Sequence, residues 1–70
     1  MTKKQLFELL IKCNYKKTVH DDHFFFKNRE ELIVFPKGKL SSSRMLSTLV
    51  QLYVGGKIKE RKFKTMIKNG

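Results

Sequence analysis

Tyr15 to Pro36 reads YKKTVHDDHFFFKNREELIVFP, and this stretch decides the fold. Three short runs rich in aromatic and β-branched residues, Tyr15–His20, His23–Lys27 and Glu31–Phe35, are separated by the polar clusters Asp21-Asp22 and Asn28-Arg29-Glu30. Branched and aromatic side chains suit a pleated surface, while Asp and Asn suit tight turns. The pattern predicts a three-stranded antiparallel meander. Side chains alternate along a strand, so Phe24 and Phe26 share one face and His23, Phe25 and Lys27 share the other. If helices take the first set, Phe25 lies on an open face beside His23.

Helical signals flank the meander. Thr2-Lys3-Lys4-Gln5 has the spacing of a capping box. Leu6, Leu9, Leu10 and Cys13 follow at helical period, with Phe7 and Ile11 widening the apolar stripe, and Asn14 is the expected stop. On the other side, Pro36, Gly38 and the serines close the sheet region. One of Ser41, Ser42 or Ser43 caps a second helix that carries Met45, Leu46, Leu49, Val50, Leu52 and Tyr53 and ends at Gly55-Gly56. Lys59 to Lys68 predicts a short third helix that packs Phe63 and Ile67 inward. The expected fold is α+β, in the order α-β-β-β-α with a short helix at residues 59–68. It forms one domain over residues 1–70, with helices on one face of a small sheet.

Charge narrows the function. The 70 residues hold 16 Lys and Arg against 6 Asp and Glu, a formal net charge of +10. The imbalance lies mostly after Phe35, where nine basic residues face a single acidic one, Glu60. Such a surface suits a polyanion or an acidic protein. With a 40% hydrophobic content the chain is too apolar for a disordered basic tail. The lone cysteine, Cys13, excludes an internal disulfide framework and cysteine-based zinc modules, and reads as a small core residue. The longest apolar run is four residues, so no membrane partner is expected. The N-terminal Met-Thr-Lys-Lys leads into no secretory h-region, and a cytoplasmic setting is the expectation.

The order α-β-β-β-α in a chain of this length resembles the HicA family, also called YcfA-like, the small toxins of bacterial toxin–antitoxin pairs. That family has a fold like a double-stranded-RNA-binding domain and a Gly-Ser-His motif opening its second strand. Asp21-Asp22-His23-Phe24-Phe25-Phe26 is the matching stretch here, with His23 in the place of the family histidine. Pro36, Lys37 and Gly38, then Leu46-Ser47-Thr48-Leu49-Val50, then Gly56 and Phe63 to Ile67, resemble the later family features. The departure is Asp21-Asp22 where the family has Gly-Ser. The resemblance implies a metal-independent mRNA endoribonuclease, without cofactor, held inactive by a cognate HicB-like antitoxin through which an oligomer would be built.

The residues themselves allow that chemistry. Cleavage at a 2′-OH needs a base, and histidine, with an ordinary pKa of about 6.5, suits the role. His20 and His23 flank a two-residue turn and would face each other, so His20 is the candidate second group. A histidine beside a turn is also commonly just solvated. His20-Asp21-Asp22-His23 is not read as a metal site, because four consecutive residues of a hairpin do not converge as ligands. Phe25 is either a platform for stacking a base or a patch covered by a protein partner. Lys16, Lys17, Lys27, Lys37, Lys39 and Arg44 are the expected RNA contacts, with the first two and last three clustering around the sheet edge and the start of helix two. Lys57, Lys59, Arg61, Lys62, Lys64 and Lys68 form a solvated face that steers. Two rival readings stand beside the toxin. One is a non-catalytic nucleic-acid-binding module of phage or mobile-element type, and the other a protein-interaction domain that docks an acidic partner.

Overall fold

The computed structural model describes residues 1–68. Helix α1 (Lys3–Lys12) begins at the capping box the sequence predicts: Thr2 Oγ1 accepts from the Gln5 amide at 3.1 Å, and Gln5 Oε1 accepts from the Thr2 amide at 2.8 Å. It ends at Asn14, which takes φ 70, so that the Tyr15 amide donates back to the Leu10 carbonyl at 3.0 Å. Asn tolerates this left-handed conformation better than most residues. The reversal drops Tyr15 into the core just ahead of the first strand, where its hydroxyl donates to the Glu31 carboxylate.

Strands β1 (Lys16–His20), β2 (His23–Asn28) and β3 (Glu31–Pro36) form an antiparallel sheet in the order β1-β2-β3. Each hairpin turns on a left-handed residue at its first loop position, Asp21 at φ 54 and Arg29 at φ 55, the geometry that primed hairpin turns need. The second turn is tighter than the expected Asn28-Arg29-Glu30, because Asn28 pairs with Glu31 as the last rung of the ladder. The Asn28 amide group also donates to the Cys13 carbonyl at 3.1 Å, which anchors that hairpin to the end of α1.

Helix α2 (Ser42–Val54) is capped by Ser41, whose Oγ accepts from the Arg44 amide at 3.2 Å. Gly55 ends it, and Gly56 at φ 74 lets the Lys57 amide return to the Leu52 carbonyl at 2.8 Å. Helix α3 (Glu60–Lys68) follows. Phe26, Ile33 and Phe35 from the sheet meet Leu6, Leu9 and Leu10 of α1 and Leu49 and Leu52 of α2 in one buried cluster. Phe7 joins the aromatic part, with ring centroids 4.8 Å from Phe26, 5.2 Å from Phe24 and 5.3 Å from Phe35. The fold is thus the α+β order expected, α-β-β-β-α-α, with the helices on one face.

One packing expectation is corrected. Met66, not Ile67, is the buried residue of α3, and Ile67 is 46% exposed. Phe63 lies flat on Tyr53 of α2, with centroids 4.6 Å apart and planes at 17°. That stacking rolls α3 so that position 66 faces inward, where unbranched Met fits an irregular gap.

Candidate nucleic-acid interface

Among the described residues no helix covers the second face of the sheet, and its side chains fall into three rows set by the register. Lys16, Lys27 and Leu32 make one row, Thr18, Phe25 and Val34 the next, and His20, His23 and Pro36 the third. Phe25 is the centre of this face. It is half-buried, while Phe24 and Phe26 share the opposite, helix-covered side, as alternation with Phe25 requires. Lys16, Thr18, His20, Phe25, Lys27 and Leu32 border a shallow depression of about 370 Å³. The His23 and Phe25 rings lie 6.3 Å apart at a tilt of 53°.

His20 and His23 are register partners at the closed end of the hairpin, as expected of residues flanking a two-residue turn. His20 Nε2 also lies 3.4 Å from the Asp21 carboxylate, with both side chains well exposed. Asp21 takes φ 54, a left-handed conformation that Asp tolerates better than most residues. The lysine row is four residues along the strand from His23, about 13 Å away. Lys16 and Lys27 therefore stand too far along the strand to act on a group placed between the histidines. Lys37 follows Pro36 at the histidine end, its amide bound to the Asp22 carbonyl at 2.9 Å.

The remaining expected contacts divide. Lys17 points to the helix side, where its ammonium sits 5.1 Å from the Phe24 ring centroid. Arg44 is at the opposite edge of the sheet from Lys16 and Lys17, because β1 and β3 are the two outer strands. Its guanidinium donates to the Val34 carbonyl at 2.9 Å and lies 5.2 Å from the Phe35 ring centroid. Lys16, Lys17, Lys37, Lys39 and Arg44, expected around the sheet edge and the start of helix two, thus stand in separate groups. Lys39 is exposed on the loop before α2.

Leu32, 55% exposed, is a member of the face that the sequence reading did not single out. The period-two signal that placed Phe25 also applies to it, since Ile33 and Phe35 are buried. Cys13 lies apart from the face, its thiol raised by burial against the opposing pull of Lys57 and Lys62. Among the described residues no three His, Cys, Asp or Glu converge as metal ligands. Comparisons with family models, curated proteins and solved structures return no match.

Proposed function

We propose that this protein binds single-stranded RNA on the uncovered face of its sheet and cleaves it there as a HicA-type toxin. One observation carries the reading: an aromatic ring at the centre of that face, between a row with two lysines and a row with two histidines. A base stacks on Phe25, as on other single-stranded nucleic-acid platforms, and Lys16 and Lys27 take a phosphate beyond it. The ribose on the other side reaches His23.

Neutral His23 takes the 2′-OH proton as that oxygen attacks the adjacent phosphorus. The bond from phosphorus to the 5′ oxygen breaks, and the leaving oxygen receives a proton from His20 imidazolium or from water. The products are a 2′,3′-cyclic phosphate and a 5′-hydroxyl end. In this reading the protein acts in the cytoplasm, and a HicB-like antitoxin restrains it.

Expression of the chain alone should arrest growth, and His23→Ala should relieve the arrest while melting like the parent. The purified parent should cut RNA in the presence of a chelator and leave cyclic phosphate ends. His20→Ala should be milder, because water replaces an acid more readily than a base. Absence of both arrest and cleavage in the parent would sink the enzymatic reading. Binding without cleavage is the rival, and one observation favours it: the exposed carboxylates of Asp21 and Asp22 stand at the histidine end, where they repel a phosphate. Replacing Asp21-Asp22 by Gly-Ser should then raise cleavage.

A further inference from the structure

The outer edge of β1 and the groove behind it lie outside the RNA face. All five residues of β1 are exposed, and antiparallel pairing leaves alternate residues with N–H and C=O groups directed away from β2. The other outer edge is blunted: Arg44 occupies the Val34 carbonyl, and Pro36 has no N–H to offer. Of the two edges, β1 is the one prepared to accept another strand.

On the helix side of that edge, α1 and β1 bound a groove of about 560 Å³. Phe7, Phe24 and Ile11 line it, and Val19, the register partner of Phe24, extends the apolar surface along the edge. Ile11 is 49% and Val19 52% exposed, a large apolar area for a chain this charged. Lys3, Lys4 and Lys17 ring the groove against a single carboxylate, Glu8. The ammonium groups of Lys3 and Lys17 each lie 5.1 Å from the Phe24 ring centroid.

We propose that the β1 edge docks an extended acidic segment of another protein. The segment adds a fourth strand beside β1, lays apolar side chains over Val19 and Ile11, and sets carboxylates against Lys3, Lys4 and Lys17. Strand addition draws affinity from main-chain hydrogen bonds and selectivity from alternate side chains. Lysines on an edge strand repel a second copy of this chain, whose net charge is also +10. The same lysines attract an acidic strand and steer its approach. RNA would meet the cations but has no use for Val19, Ile11 or a free backbone edge, so a peptide is the better fit. The proposal does not rest on the RNA reading.

The probe is a fluorescein-labelled, acetylated nonapeptide with glutamates at both ends and valines at alternate central positions. Anisotropy should show it binding the intact protein, with NMR amide shifts concentrated at residues 16–20. Methylating alternate backbone nitrogens of the peptide keeps its charge but removes ladder donors, and should weaken binding at least about tenfold. Lys17→Glu should do likewise, whereas Lys27→Glu, the same charge change on the opposite face, should stay within about twofold of the parent. An oligouridine probe should show the reverse sensitivity to these two variants. Equal binding by the methylated peptide, or equal weakening by both variants, would reduce the effect to bulk charge and overturn the proposal. It would also be overturned if Lys17→Glu abolished oligouridine binding while the peptide did not bind the parent, for the groove would then belong to nucleic acid.

Discussion

His23 and Phe25 sit two residues apart on one strand, with rings 6.3 Å from centre to centre on the same uncovered face. Phe26, between Phe25 and Lys27 in the chain, is fully buried on the other side. Neighbouring phenylalanines thus face opposite ways, and the comparison between them tests the proposed RNA face. Phe25→Ala should weaken RNA binding by about 1–3 kcal/mol and lower stability by about 1 kcal/mol or less. Phe26→Ala should instead lower stability by about 3–5 kcal/mol. A 70-residue domain commands only about 4–10 kcal/mol in all. Melting and binding curves on the two variants separate the roles, and equal loss of stability would place Phe25 in the core.

Salt dependence would distinguish the lysines proposed to meet phosphate from an arginine that holds the fold. Lys16→Ala and Lys27→Ala should each reduce the log–log salt slope of RNA binding by about 0.7. Arg44→Ala should leave that slope nearly unchanged. Its expected effect is a loss of about 1 kcal/mol of stability, from the bond to the Val34 carbonyl and the contact with Phe35. A slope change for Arg44 equal to that for Lys16 would contradict this division.

The hairpin turns hold room for stabilisation. A left-handed conformation costs an ordinary side chain about 1–2 kcal/mol, and Arg29 bears it at φ 55. Glycine avoids that strain at an entropic cost of about 0.5–1 kcal/mol. Arg29→Gly should therefore raise stability by up to about 1 kcal/mol, read as a higher Tm. Asp21→Gly should gain less, because Asp tolerates this region. A fall in Tm for Arg29→Gly would mean that the arginine side chain contributes more than its backbone strain removes.

Tyr15 gives the fold an alkaline limit. Burial first, then its hydrogen bond to Glu31 and the charge of that carboxylate, push the phenol well above its ordinary range. The unfolded chain loses this proton from about pH 10 upward while the folded chain keeps it. The folded state then binds more protons, and this contribution to stability falls as pH rises beyond that point. Tyr15→Phe should flatten that fall in denaturant melts between pH 9 and about 11. It should also remove about 1 kcal/mol near neutrality by leaving Glu31 without its donor. An unchanged alkaline slope would show that other groups govern it.

Local periodicity and end chemistry were legible in the residues themselves. Thr2 with Gln5, Asn14, Ser41 and Gly55 mark element ends because each satisfies or terminates backbone bonding within a few residues. The alternation from His23 to Lys27 puts Phe25 on the face opposite Phe24 and Phe26 for the same reason: strand geometry has a period of two wherever the strand lies. The sequence therefore determined the order of elements, the shared face of His23, Phe25 and Lys27, and the pairing of His20 with His23, while packing decided that this face stays uncovered. Tertiary structure alone decided what depends on contacts between distant segments. Lys16 and Lys17 are neighbours in the chain, yet one lines the uncovered sheet face and the other a groove against α1. Arg44 is held at the far edge because β2 lies between β1 and β3, and adjacent strands are separated by about 4.8 Å each. Met66 displaced Ile67 from the core because Phe63 stacks on Tyr53, a contact between two helices that neither helix encodes by itself.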